Sequence, residues 1–284
     1  MRVLVTGASG NVGGELVKLL SQAGHDVRAV TRKRASSGLP AAAEEVVADL
    51  NDPASLRTAW TGVDALFLLP GYPATPELLA DAVRAGVGHM VLLSGSSAGD
   101  QASSNAVTRY MSQAEDAVHA AGLRFTILRP AGFMSNTLEW AAQLRAGDAL
   151  EAPFADVPIA AIDPQDIAAV AMTVLVTGQH DERHSGRVYR LSGPEALRPG
   201  DRVRILASVL GRPLRFVAQS NEAAYAQMAT QMPAEYVEAF FDFYVRGSLD
   251  DSVIYPAVAE ITGQPPRTFH QWALAHAAAF IRSP

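Results

Sequence analysis

The chain has no cysteine, which excludes disulfides, thiolate metal sites and cysteine nucleophiles. Lysine is nearly absent: Lys18 and Lys33 are the only two in 284 residues. No apolar run reaches the length of a membrane span, and Met1-Arg2 leads straight into a strand pattern with no signal-peptide layout. The expected setting is therefore cytoplasmic, with no membrane partner. A formal charge of −6 argues against nucleic acid as a partner. No internal repeat and no low-complexity linker is present. What is there is a globular composition, 49% hydrophobic and 18% charged, long enough for one large α/β domain or for one domain plus a small lobe.

The most informative stretch is Val3-Leu4-Val5-Thr6-Gly7-Ala8-Ser9-Gly10-Asn11-Val12-Gly13. A short apolar strand runs into a glycine-rich turn, and an amphipathic helix follows through Leu16, Leu19 and Leu20. Gly7 permits the tight turn, Gly10 lets backbone N–H groups approach a pyrophosphate, and Gly13 lets the helix pack close on the strand. The phosphates would rest on the helix N-terminus, where free N–H groups and the macrodipole favour negative charge. Strand before and helix after is the context that a dinucleotide-binding motif requires, and the spacing here is G-x-x-G-x-x-G.

Strand and helix patterns then alternate. Strands are expected at 3–6, 26–31, 45–48, 65–69, 90–93 and 125–128, several as continuous apolar runs. Helices are expected at 11–23, 53–61, 76–85 and 105–121, with Gly24, Gly62, Gly86 and Gly122 at their C-caps. This alternation implies a doubly wound parallel sheet. After Arg129 the pattern becomes mainly helical, with helices expected at 136–145, 165–176, 200–210, 221–230, 233–246, 252–262 and 269–281. Two short strands are expected at 188–191 and 214–217. The division is a dinucleotide-binding core over 1–130 and a substrate lobe over 131–284, with segments returning to the core.

The second strand ends Thr31-Arg32-Lys33-Arg34, with cations where NAD-specific folds carry an acid for the ribose 2′-hydroxyl. A guanidinium binds a 2′-phosphate with two parallel hydrogen bonds, so Arg32 points to NADP(H). Asp49, before Leu50 at the end of the third strand, is either an acceptor for an adenine amino group or a turn residue ahead of Pro53. Leu69-Pro70-Gly71 ends the fourth strand, where backbone lies beside the cofactor.

Taken together, Thr6–Gly13, the basic Thr31-Arg32 end and Leu128-Arg129-Pro130-Ala131-Gly132-Phe133-Met134-Ser135-Asn136 resemble the NmrA-like group of atypical short-chain dehydrogenases/reductases. So do Asp163-Pro164-Gln165-Asp166-Ile167-Ala168, Leu191-Ser192-Gly193-Pro194-Glu195 and Thr262-Gly263-Gln264-Pro265-Pro266-Arg267-Thr268-Phe269, so the resemblance spans essentially the whole chain. It implies a Rossmann-like doubly wound parallel sheet with a smaller, mainly helical C-terminal substrate lobe. The implied cofactor set is Gly7, Ser9, Gly10, Asn11, Val12, Gly13, Arg32, Asp49, Leu50, Leu69, Pro70, Ser94 and Pro130. The family includes NADPH-dependent quinone oxidoreductases, polyketide-tailoring enzymes and regulators that bind NADP without turnover.

The chain departs from typical short-chain dehydrogenases in its chemistry. Those use a Tyr-x-x-x-Lys pair, in which the lysine lowers the tyrosine pKa. Here Tyr110 is followed four residues on by Ala114, and both lysines precede every tyrosine, so no such pair exists. Tyr110 is then an unsupported acid or a packing residue. Ser94 matches the family's catalytic serine and either orients a substrate oxygen or merely ends the strand. The candidate substrate pocket comprises Phe133, Met134, Trp140, Phe240 and Tyr244; the aromatic run 238–244 is either core or pocket wall. His180 and His184 have zinc-helix spacing, but Gly178 and Ser185-Gly186 around them favour a charged surface loop, and no metal is expected. The expected activity is NADPH-dependent reduction of a small aromatic or quinone-like acceptor. The alternatives are a polyketide-tailoring step such as aromatic coupling, or an NADP(H)-sensing regulator.

Overall fold

The computed structural model describes residues 1–34, 38–99, 104–178 and 181–281. Seven parallel strands form the main sheet: β1 (Arg2–Val5), β2 (Asp26–Thr31), β3 (Glu44–Val47), β4 (Ala65–Leu68), β5 (His89–Leu93), β6 (Phe125–Pro130) and β8 (Arg187–Leu191). Their spatial order is β3-β2-β1-β4-β5-β6-β8. The order reverses between β1 and β4, and this is where an open parallel sheet leaves a crevice at its carboxyl edge. β7 (Ala149–Ala152) and β9 (Arg215–Ala218) form a separate parallel pair in the lobe.

Each buried strand sends alternate side chains to opposite faces, as the pleat requires. Val3 and Val5 join one core with Leu16, Val17 and Leu20 of α1 (Asn11–Gln22) and Ile167, Val170 and Val174 of α5 (Pro164–Thr177). Leu4 joins the other, with Leu78 and Leu79 of α2 (Thr75–Arg84) and Ala114 and Val118 of α3 (Ala106–Ala120). Ala257 and Val258 of α9 (Ala257–Thr262) return to the first core. The lobe has a core of its own. Leu144 of α4 (Ala141–Ala146), Leu206 of α6 (Pro199–Leu210) and Phe269 and Trp272 of α10 (Phe269–Ala275) meet there, together with Phe280. Two further lobe helices, α7 (Asn221–Ala229) and α8 (Ala234–Tyr244), pack through Ala224, Val237 and Phe241.

β7 has no counterpart in the sequence expectation, and four expected helices differ from it. Only Pro53–Leu56 of the expected helix at 53–61 is a regular turn, and it is 3-10. The Arg28 guanidinium of β2 donates to the carbonyls of Ala59 and Thr61, each at 2.7 Å, and so anchors the turns that follow. The helix expected at 136–145 is a 3-10 segment over Met134–Trp140 followed by α4. The helix expected at 252–262 begins only at Ala257, after Pro256, because the residue before a proline is disfavoured in helical geometry. At the C-terminal end, α10 stops at Ala275 and a 3-10 turn covers Ala277–Phe280.

The three downstream motifs of the resemblance form one clasp. Asp166 accepts the Arg267 amide at 2.8 Å, Asp163 pairs with the Arg267 guanidinium at 3.1 Å, and Glu195 accepts the Phe269 amide at 3.1 Å. These motifs thus tie the start of α5 and the chain after β8 to the segment entering α10.

Candidate active site

The site begins at the carboxyl edge of β1. Gly7 has φ +62°, and a Cβ there would lie 2.3 Å from Leu69 Cδ1. Leu69 is fixed in turn by its amide, which donates to Thr6 Oγ1 at 2.9 Å. A Cβ on Gly13 would lie 2.2 Å from the Gly7 carbonyl oxygen, so the helix start and the loop touch backbone to backbone. Gly10 differs: its φ of −88° and ψ of 175° are open to any residue, and a Cβ would meet only the Gly7 oxygen, at 3.2 Å. α1 starts with no side-chain cap and no acid in its first turn. Its first N–H groups are therefore left for a ligand. Ser9 and Asn11 are exposed beside them, Val12 is buried beneath, and the Asn11 side-chain Nδ2 donates to Ser135 Oγ at 3.1 Å. A closed backbone cradle with free amides fits the pyrophosphate of a dinucleotide. Ser9, Gly10 and Asn11 also border a crevice of about 460 Å³ with Gly38, Leu39, Ser135 and Arg267.

Around the cradle, Arg32, Lys33 and Arg34 are exposed at the end of β2. One carboxylate lies near that end: Glu45 of β3 accepts the Thr31 hydroxyl at 3.1 Å. Asp49 is exposed and spends one oxygen on a local turn, accepting the Asn51 amide at 2.9 Å, while Leu50 is buried. Pro70 offers its carbonyl to Tyr110, and Pro130 offers its own to the Ser96 amide at 2.9 Å.

The two candidate catalytic hydroxyls turn into the protein. Ser94 is 3% exposed and donates to Glu115 Oε1 at 2.5 Å. Glu115 in turn holds Arg129 through a bidentate pair at 2.9 and 2.5 Å. Ser94 therefore completes a buried carboxylate–guanidinium network under the ends of β5 and β6. Tyr110 donates to the Pro70 carbonyl at 3.1 Å, and its ring lies against Gly71, where a Cβ would come within 1.9 Å of it. Gly71 has φ +90°, so glycine is required there on both counts. Burial raises the Tyr110 pKa, with Tyr72 and Tyr236 adding to the rise, the opposite of what an activated acid needs.

A second cavity of about 520 Å³ opens from Gly132 and Phe133, directly after β6, into the lobe. Phe133, Trp140, Phe240 and Tyr244 all line it. Met134 does not: it is 1% exposed, packed in the lobe core with Leu144 and Trp272. Met134 opens the 3-10 segment, so its side chain leaves the direction taken by Phe133. Asn105 docks α8 on the core. Its side chain caps α3 and donates its amide to the Ala239 carbonyl at 3.0 Å.

Three cavity features had no sequence signal. Phe154 has φ +57°, a strained value for an aromatic residue, and its ring meets Phe241 and Tyr244 at 5.6 and 5.2 Å. Arg202 is 8% exposed and stacks over Trp140 at 4.9 Å. Asp251 is buried behind Tyr244, whose hydroxyl lies 3.5 Å from its Oδ2. Burial pushes the Asp251 carboxyl up, opposed by the Ser96 hydroxyl, the Gly132 amide and the Tyr244 hydroxyl. Burial likewise raises Tyr244, which stays protonated through neutral pH.

Among the described residues no cluster suits a metal ion, and no helix is long and apolar enough to cross a membrane. His180 lies outside the described residues. His184 is buried and bonds Tyr189 Oη through Nδ1 at 2.8 Å.

Comparison with known proteins gives the family and the fold. Residues 7–177, more than half of the chain, match the NAD(P)H-binding family model. The chain is 38% identical to a (4-alkanoyl-5-oxo-2,5-dihydrofuran-3-yl)methyl phosphate reductase of Streptomyces griseus, over 98% of this chain and 99% of that one. It is 32% identical to an NAD(P)H azoreductase of Xenophilus azovorans, again over 98% and 99%. Among solved structures, an NADPH-dependent quinone oxidoreductase from Escherichia coli superposes with a TM-score of 0.77 at 23% identity, covering 98% of this chain and 100% of that one. That likeness establishes the Rossmann-like fold. The chain belongs to the NAD(P)H-binding family, and both of these relatives are named as reductases, one of them as an NAD(P)H azoreductase.

Proposed function

We propose that the protein is an NADPH-dependent reductase of a quinone or a related conjugated acceptor, taken into the cavity between the end of β6 and α8. The observation that carries this reading is the cavity itself. It starts at the carboxyl edge of the sheet, and Phe133, Trp140, Phe154 and Phe240 give it aromatic walls suited to a flat conjugated molecule. The relatives support it in kind: one is named for an oxo-dihydrofuran phosphate and one as an azoreductase.

Gly7 to Gly13 and the start of α1 would hold the pyrophosphate, and exposed Arg32 would hold a 2′-phosphate, favouring NADPH over NADH. When bound, the cofactor supplies a hydride. The chain's own residues orient the acceptor and screen it from water. Tyr244, protonated, lines the cavity with its hydroxyl 3.5 Å from Asp251 Oδ2. A phenolic product has a pKa of about 10, so the developing charge needs no lysine-activated acid. This accounts for a reductase whose Ser94 and Tyr110 hydroxyls serve Glu115 and Pro70.

Those same two engaged hydroxyls favour a second reading, a cofactor sensor without turnover. NADPH consumption with 2-methyl-1,4-naphthoquinone separates the two. The enzyme reading expects saturable consumption, and Phe240→Ala should raise KM about fivefold or more while NADPH binding stays native. Tight NADPH binding with no consumption would leave the sensor.

A further inference from the structure

Arg202 poses a problem that the cavity's shape does not explain. It sits in the first turns of α6 and is 8% exposed. Its Nε is sealed from solvent with no hydrogen-bond partner, and among the described residues its guanidinium makes no ion pair. The neighbouring carboxylates are committed elsewhere. Asp201 pairs with Arg204 and accepts the Arg198 amide, and Asp251 faces Tyr244, Ser96 and Gly132. Stacking on Trp140 uses only the face of the guanidinium. Its N–H donors lie in the plane; the sealed Nε–H has no acceptor, and no hydrogen bond from the terminal nitrogens is made among the described residues. A buried cation in that state is costly unless a ligand completes it.

The surroundings specify the ligand's charge. Arg202 is the only cation among the cavity's described lining residues. Pro199, the first residue of α6, lines the same cavity, so the positive end of the helix dipole adds to the charge. The Tyr244 hydroxyl lies nearby and is protonated; its proton is held only by a long 3.5 Å bond to Asp251, so a closer oxyanion can take it as a second donor. The cavity's two carboxylates, Glu139 and Glu151, are exposed at its rim; partial burial raises the Glu139 pKa, which weakens its opposition to an anion.

We infer that the acceptor carries a permanent oxyanion, a phosphate ester or a carboxylate, which Arg202 binds from beneath the cavity with Tyr244 beside it. The inference rests on the reading of this cavity as the acceptor site. It makes Arg202 a specificity residue that anchors one end of the acceptor and leaves the conjugated end at Phe133.

Calorimetric titration of the NADP⁺-saturated protein with 1-naphthyl phosphate, 1-naphthoate and neutral 1-naphthol tests this without turnover. Saturation with NADP⁺ keeps the phosphate probe off the glycine loop. Native protein should bind at least one of the two oxyanions roughly tenfold to hundredfold tighter than naphthol, and the better arm identifies phosphate or carboxylate. Arg202→Met should erase that preference while changing naphthol affinity less than about threefold. If Arg202→Met does not fold, Arg202→Gln removes the charge with less loss of polarity and should give the same result. Equal binding of all three probes by native protein, or a preference that survives loss of the charge, would overturn the inference. Because binding is read here and oxidation in the quinone assay, failure of one is distinguishable from failure of the other.

Discussion

Replacing Gly13 with alanine tests whether the glycine loop is built as described. The new Cβ would lie 2.2 Å from the Gly7 oxygen, 2.7 Å from the Gly7 carbonyl carbon and 3.2 Å from Ala8 Cα, all backbone atoms that cannot rotate aside. Gly7 cannot yield either. Its carbonyl accepts the Gly10 amide at 2.8 Å, and Leu69 presses on it from the other side. Relief needs the start of α1 to shift by roughly 1 Å, the kind of overpacking that costs about 1–3 kcal/mol. Gly14→Ala is the matched control, because its Cβ would meet the Ala8 oxygen at an ordinary 3.4 Å. Both variants gain the same helix propensity of about 1 kcal/mol, so their difference isolates the clash. Urea unfolding should show Gly14→Ala at or above native stability and Gly13→Ala lower than Gly14→Ala by about 1–3 kcal/mol. NADPH titration should show weakened binding only in Gly13→Ala. If the two variants unfold together and bind NADPH equally, the close approach of helix and loop does not shape the site.

Further outcomes follow from the same geometry. Arg32→Glu should weaken NADPH by about 1.5–3 kcal/mol and NADH far less, read by calorimetry; equal native affinities for the two cofactors would remove the role given to Arg32. Tyr110→Phe should lower kcat tenfold or less, about 1.4 kcal/mol, because it loses only the bond to the Pro70 carbonyl; a drop of several orders of magnitude would restore it as the acid. Asp166 is raised from 3.8 to about 6, chiefly by burial. Its unfolded form therefore ionises first, stability falls as pH rises from about 4 to 6, and the cost above that is about 3 kcal/mol at most. Asp166→Asn keeps an acceptor for the Arg267 amide, so it should unfold like native protein near pH 4 and at a higher temperature at pH 7.5; the reverse order would contradict the sign.

Much of this was legible in the sequence because it is local. The glycine loop announces itself through strand, turn and helix in thirteen residues, and the apolar runs of β1, β4 and β5 mark strands covered on both faces. What was not legible depends on distant partners. Ser94 looks like a strand-end hydroxyl until Glu115 and Arg129 converge on it from α3 and β6. Arg28 lies inside the second strand, and its bonds to the carbonyls at 59 and 61 form only once the sheet brings those turns beside it. Arg202 has the pattern of an ordinary helix arginine, and only the closure of the lobe buries it. The motifs around Asp163, Glu195 and Arg267 mark the family in the sequence, yet their joint work as a clasp appears only when the chain is folded.

The central claim is that NADPH held on the glycine loop reduces an acceptor seated in the lobe cavity. Its most direct test compares native protein and Gly10→Val in one assay of NADPH disappearance under increasing quinone. Gly10 adopts extended backbone open to any residue, so the variant should fold, while its side chain fills space over the free amides of α1. The account predicts saturable oxidation by native protein, faster with NADPH than with NADH, and none above background in the folded variant. Undiminished oxidation by Gly10→Val, or no oxidation by native protein that binds NADPH tightly, would contradict it.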